Sequence, residues 1–294
     1  MAQSKLGRGE RITGWLFVAP ALTLLGVFMV YPILWSLFMS FQTGKGMNFK
    51  FGGFANIYRL TQDPVFLRAL TNTSIFLVVQ VPLMIVLALL FAVALNNPRL
   101  KFRGVFRTAI FLPCVTSLVA YSILFKSMFA TDGVVNDLAM ALHLIDTPIP
   151  WLGDPFWARV VVILAITWRW TGYNMIFYLA AMQNIDRSIY EAARIDGVPA
   201  WARFVHITIP MLKPVILFTS VISTIGTLQL FDEVNIITMG GPSDATLTLS
   251  LYIYNLTFRF MPSFGYAATV SYVIVILVGI LSFLQFLVVR DRRA

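Results

Sequence analysis

Charge is scarce in this chain. Only 12% of its 294 residues are Asp, Glu, Lys or Arg, where a soluble domain carries about 25%. That deficit excludes an ordinary water-soluble globule and leaves much of the surface to lipid. Cysteine is nearly missing: Cys114 stands alone inside an apolar run. No intrachain disulfide can form, the redox compartment goes unmarked, and the thiol reads as a small buried hydrophobe. Histidine is limited to His143 and His206, in loops expected on opposite sides of a membrane. They cannot share a metal within one chain, and no His, Cys or acidic cluster has metal spacing. A phosphate-cradling loop G-x-x-x-x-G-K-[ST] is absent. The one Gly-Lys pair, Gly44-Lys45, is followed by Gly46 and preceded at position 39 by Met39. With no G-x-S-x-G and no nucleophile–base pair to assemble, nothing points to chemistry on a covalent bond. The chain reads as neither an enzyme nor the binder of a cofactor.

What charge exists is unbalanced, 22 Lys and Arg against 13 Asp and Glu. In a soluble protein that excess would suggest nucleic acid. In a chain 59% hydrophobic it reads as basic loops flanking a bilayer, with no nucleic-acid partner. A spanning helix needs about 20 mostly apolar residues. Six segments qualify: Ile12–Phe41, Thr73–Leu95, Val105–Phe129, Phe156–Met182, Ile207–Asp232 and Tyr266–Val289. Prolines fall inside the first, third and fifth (Pro20, Pro32, Pro113, Pro210, Pro214), where neighbouring groups re-satisfy the freed carbonyls. The first segment resembles a signal peptide around Ala19-Pro20-Ala21, but its apolar run continues far beyond the roughly 7–15 residues of a signal core. A retained helix is expected.

Loop charge sets the orientation. With the N-terminus in the cytoplasm, the inner segments hold Lys5, Arg8, Arg11, Arg99, Lys101, Arg103, Arg107, Arg187, Arg194, Arg203, Lys213, Arg290, Arg292 and Arg293. The outer segments hold only Lys45, Lys50, Arg59, Arg68, Arg159 and Arg259. The bias predicts both termini inside. The loop Thr131–Pro155 is acidic and outside, and Val134–Ile145 could form a short amphipathic surface helix there. No loop is long enough to fold alone, so residues 1–294 are expected to form a single transmembrane domain.

One inner loop is unlike the rest. Residues 186–210 are polar and turn-punctuated between two apolar spans. Ser188 and Glu191 have capping-box spacing, predicting a short helix Ile189 to Ile195. Gly197 stands where a left-handed residue ends such a helix, and Pro199 suits the first turn of a second short helix. Ala192 and Ala193 give the first helix a small-residue face that another surface can approach.

The ordered set Glu191, Ala192, Ala193, Gly197, Ile207 and Pro210 matches the EAA loop of binding-protein-dependent ABC importer permeases, with Ile209 where the family often has Leu. Trp15–Ala21, Gly172–Met175, Phe231-Asp232, Thr238–Pro242 and Phe264–Ala268 are similar to the carbohydrate-uptake branch. The resemblance covers nearly the whole chain. It implies an all-α integral membrane protein with six transmembrane helices, N-in/C-in, of the type I ABC importer permease fold, in a prokaryotic cytoplasmic (inner) membrane. It implies that residues 186–210 hold a cytoplasmic coupling helix docking on an ATPase subunit, with Glu191 paired to a basic residue there. ATP and Mg would be bound by two partner ATP-binding cassette subunits. A second, homologous permease and an extracytoplasmic solute-binding protein delivering a sugar complete the assembly. Second permeases commonly carry a longer Gly-rich tail than Arg290–Ala294, which suggests the first member of a heterodimeric pair.

Polar residues inside the spans are the candidates for the pathway. Arg169 lies near mid-span, where a charge costs roughly 2.5–3.5 kcal/mol and should face a cavity or a partner. Trp170, Tyr173 and Asn174 follow it, and aromatic faces with amides suit a sugar. Either Arg169 lines that site, or it pairs structurally with an acid or helix carbonyls. Gln80, Gln229, Asp232 and Glu233 either line the same path or mark an interface. The resemblance favours an oligosaccharide or glycoside. The alternative function is a self-contained, ion-coupled secondary transporter, which would show inverted repeats or paired midplane carboxylates; neither is visible.

Overall fold

The computed structural model describes residues 8–290, and helices dominate it. Lys5, Arg292 and Arg293 of the charge comparison lie outside the described residues. Among the described residues, five helices are long and apolar enough to cross a membrane: Ile12–Ser40, Pro64–Asn96, Pro155–Gln183, Ala200–Leu228 and Phe264–Val288. Two further apolar helices, Arg103–Val115 and Leu118–Met128, are bent by 99° at their junction and make a sixth span when counted together.

Several boundaries depart from the sequence expectation, each for a local reason. The second span begins at Pro64 instead of Thr73. Asp63 accepts from the amides of Val65 (2.9 Å) and Phe66 (3.2 Å), and Pro64 needs no donor at the first helical position. Asp154 and Pro155 repeat this device at the fourth span. The third span is not continuous. Thr116 takes an extended conformation, and Ser117 starts a new helix by accepting from the Ala120 amide at 3.4 Å. Pro113 has already removed one donor from the turn before the break. The fifth span starts earlier than expected, at Ala200, and ends at Leu228, so Asp232 opens a separate helix, Asp232–Ile237. Pro82 also lies within the second span, whose helix runs through it. The predicted surface helix is Val134–Ala141. Its Asn136 is fully buried, donating to the carbonyls of Thr131 and Ile149 and accepting from the Ile149 amide and the Trp151 indole.

The chain divides into two compact units. One comprises residues up to 62 together with 255–272. A two-residue hairpin, Gln42–Thr43 against Lys50–Phe51, closes this unit's first loop. Asn56 donates to the carbonyls of Ser40 (2.9 Å) and Gln42 (2.8 Å), Thr269 donates to Ser40 at 3.0 Å, and the Arg59 guanidinium lies 3.8 Å from the Tyr266 ring centroid. The first span is apolar and exposed over almost its whole length, which is affordable only against lipid or another subunit.

The other unit comprises 63–254 and 273–290. Its core joins the second, fourth and fifth spans through Ala88, Leu89, Ala92, Met175, Tyr178 and Leu212. Buried alanines let these helix backbones approach closely, as small residues do in membranes. Gly172 is the extreme case: a Cβ there would strike the backbone carbonyl of Ile110 on the third span. Tyr178 and Thr219 share a buried hydroxyl contact of 2.6 Å between the fourth and fifth spans.

Candidate functional site

Two constellations stand out, an exposed handle and a cavity. The handle lies between the fourth and fifth spans. Its helix is Arg187–Ile195, starting two residues earlier than predicted, because the cap is Asp186 and not Ser188. Asp186 accepts from the Ser188 amide at 2.9 Å. Hydrogen bonds from the Ser188 amide and hydroxyl hold the Asp186 carboxyl below the ordinary aspartate range. The helix ends in a Schellman motif: the Val198 amide reaches the Ala193 carbonyl (2.9 Å) and the Gly197 amide reaches Arg194 (3.1 Å). Gly197 sits at φ +71°, where a side chain is strained. Glu191, Ala192 and Gly197 are exposed, while Ala193 is buried beneath them. Ile195 and Trp201 add large exposed apolar surface, 86% and 68% accessible.

Pro199 caps the next helix instead of lying in its first turn. That helix is not a separate short piece. Ala200–Arg203 runs through a wide π turn, Phe204–Thr208, directly into the fifth span. Pro210, which lacks a donor, sits two residues past that turn. Tyr190 and Thr208 share a hydroxyl contact of 3.0 Å, and Arg203 donates to the Val198 carbonyl at 2.6 Å. Both tie the handle to the foot of the fifth span.

The cavity, of about 540 Å³, lies within the second unit between the second, fourth and fifth spans and the helix at Asp232. Small-molecule sites run about 300–1,000 Å³. Of the sequence candidates, Gln80, Trp170, Tyr173, Asn174, Gln229, Asp232 and Glu233 come together in its wall. Trp170 and Tyr173 meet edge-to-face, with ring centroids 5.7 Å apart. Gln80 accepts from Thr227 at 3.1 Å across two spans. Asn174 donates to the Trp170 carbonyl at 3.1 Å, but its amide oxygen has no partner among the described residues. Asp232 is exposed at the mouth, whereas Glu233 is 5% accessible.

Arg169 is not in that wall. It donates to the Thr116 carbonyl at 3.3 Å and lies 4.7 Å from the Tyr121 ring centroid. It therefore satisfies a carbonyl freed at the break of the third span. Sequence reasoning missed Met84, Ser223 and Thr227 in the wall. The i, i+4 spacing of Ser223 and Thr227 was the available signal, since both hydroxyls fall on one helix face.

A second recess, of about 350 Å³, lies by the turn at Gly240–Pro242 and is lined by Arg68, Asn72, Arg159 and Asp244. Arg159 donates to the carbonyl of Ala245 (2.8 Å) and the side-chain oxygen of Asn72 (3.2 Å). Asn72 in turn donates to the carbonyls of Asp244 and Leu247. Among the described residues, no group of His, Cys, Asp or Glu is arranged to hold a metal ion.

Comparison with known proteins agrees with this geometry. The chain is 68% identical over 294 residues to the lactose transport system permease protein LacF of Rhizobium radiobacter, covering 99% of each. It is 31% identical over 281 residues to the arabinooligosaccharides transport system permease protein AraP of Halalkalibacterium halodurans, covering 94% of this chain and 87% of the relative. The fold matches a subunit of a bacterial ABC transporter involved in import of the acidic polysaccharide alginate. The TM-score is 0.83 at 24% identity, covering 95% of this chain and 96% of that one. Residues 51–294 match the family model described as the binding-protein-dependent transport system inner membrane component. The chain belongs to that family of inner-membrane transport components.

Proposed function

We propose that this chain is the membrane-spanning half of an ATP-driven sugar importer, and that it passes a disaccharide such as lactose through the cavity between its second, fourth and fifth spans. Family membership makes it a multi-pass inner-membrane transport subunit rather than an enzyme. The observation that carries the sugar reading is the cavity wall: aromatic edges at Trp170 and Tyr173 beside the amides of Gln80, Asn174 and Gln229. Aromatic faces stack on the apolar face of a pyranose, and amides pair with its hydroxyls. The lactose permease relative at 68% identity supports the choice of sugar.

In this reading both termini and the handle face the cytoplasm, as the basic loops favour. The exposed Glu191-Ala192 face docks in a groove of an ATPase subunit, and Glu191 meets a basic residue there. ATP and Mg2+ bind to two such partner subunits. A second, homologous permease completes the membrane pair. A solute-binding protein delivers the sugar on the opposite side, near the recess framed by Arg68, Arg159 and Asp244.

The test is uptake of radiolabelled lactose into proteoliposomes holding the assembled importer, its binding protein and internal ATP. Replacing Tyr173 or Trp170 with Ala should cut uptake about tenfold, since the apolar surface each ring buries against a sugar is worth about 1–2 kcal/mol. Full uptake by both variants would remove the cavity from the pathway.

A further inference from the structure

We propose that the cavity selects by charge, admitting neutral saccharides and rejecting anionic ones such as glycosides of uronic acids. This rests on the cavity being the sugar pathway. The wall itself makes the first argument. Asp232 and Glu233 are the charged residues among its described lining, and no Lys, Arg or His stands with them. The two acids are consecutive at the start of the helix Asp232–Ile237. One is exposed at the mouth and the other buried in the wall, so a permeating solute meets a negative field both on entry and inside.

The buried cation of the fourth span does not cancel this field. Arg169 is occupied by the Thr116 carbonyl and the Tyr121 ring. Tyr121 neighbours both Arg169 and Glu233, so Arg169 offsets Glu233 in part. No ion pair among the described residues involves Asp232. The mouth therefore stays negative.

Hydrogen-bond polarity points the same way. The carboxylates of Asp232 and Glu233 in the wall want an O–H or N–H. A sugar hydroxyl can donate to them; a substrate carboxylate, being an acceptor only, cannot. A uronate placed here loses a hydrogen bond and gains repulsion together. A like charge about 7 Å away in a half-solvated site weakens binding roughly tenfold, and added salt reduces the penalty at the exposed mouth.

The experiment uses the intact importer complex in nanodiscs without its binding protein, so that the cavity alone discriminates. Saturation-transfer difference NMR compares 4-nitrophenyl β-galactopyranoside with 4-nitrophenyl β-galacturonide, a pair alike except for one carboxylate. In low salt the galacturonide should bind at least tenfold more weakly. Combining Asp232→Asn with Glu233→Gln should close that ratio to within about threefold. If that pair of changes prevents assembly, Asp232→Asn alone, at the exposed mouth, should narrow the ratio. Equal binding of the two glycosides by the unaltered complex overturns the proposal, as does an undiminished ratio in the charge-neutralised variants. Absence of binding by either glycoside, or a galactoside signal indifferent to Tyr173→Ala, overturns the cavity reading beneath it, and this proposal with it.

Discussion

Replacing Gly197 separates a mechanical role for the handle from a merely structural one. Gly197 holds φ +71°, and a Cβ built there meets nothing within 4 Å. A side chain at this position therefore brings backbone strain and no clash. A non-glycine residue in the left-handed region costs roughly 1–2 kcal/mol, less for Asn. The turn is solvent-exposed, and helix Arg187–Ile195 has nine residues, with Ala193 its buried member. A local stability near 1 kcal/mol is reasonable for such a segment. A strain of about 1.5 kcal/mol then lowers the formed fraction from roughly 85% to about 30%, near threefold. A β-branched residue, stiffer still, should lose more. The series Gly197→Asn, Gly197→Ala, Gly197→Val should lower lactose uptake and sugar-stimulated ATP hydrolysis in that order, Asn staying close to the parent. Membrane insertion and the yield of the second permease should not change, because no packing is disturbed. Undiminished uptake in Gly197→Val would falsify the coupling role. Equal loss in Asn and Val would show that something other than backbone strain matters there.

Gly172→Ala presses a methyl group onto the Ile110 carbonyl and the Phe111 Cα, backbone atoms that cannot rotate away. Such overpacking costs about 1–3 kcal/mol and should lower the melting temperature of the purified complex by several degrees; an unchanged midpoint would mean the two helices are not so closely apposed. Asp186 gives a pH signature. Its folded carboxyl titrates below the ordinary aspartate range because the Ser188 amide and hydroxyl favour the ionised form. The cap is thus present above the usual aspartate value and lost as acid carries the pH down through the lowered one. Hydrogen exchange at the Ser188 amide should accelerate only in that acidic window, and Asp186→Asn, also a good cap, should abolish the acid dependence. An unaltered acid transition in the Asn variant would exclude Asp186 as its source.

The spans were legible because twenty-odd apolar residues leave little choice, and the handle because Glu191 to Pro210 is too polar for lipid. Their ends were less so. Asp63-Pro64 and Asp154-Pro155 are cap signatures in plain sight, yet the hydropathy of Thr73–Leu95 and Phe156–Met182 drew the eye to the apolar stretch instead. At the handle, Ser188 with Glu191 satisfied a capping-box pattern while Asp186 occupied the right position two residues earlier. Periodicity cannot decide between neighbouring oxygen acceptors; the backbone geometry does. The bend at Thr116-Ser117 was hidden for a different reason. Its stability depends on Arg169, 53 residues away, a tertiary contact no local window contains. The cavity was the reverse case. Gln80, Asn174, Gln229 and Glu233 are costly residues in apolar surroundings, and their expense alone marked them. Their convergence on one wall required the fold.

The unbroken course from Trp201 to Gly226 has a lever's arithmetic. At about 1.5 Å per residue that rod is roughly 37 Å long, with the handle at one tip and Ile222, Gly226 and Thr227 of the cavity near the other. Tilting such a rod by about 10° about its handle end carries the cavity end through some 6 Å, roughly one helical pitch. A small rotation imposed at the handle therefore becomes a displacement on the scale of a sugar ring at the far end.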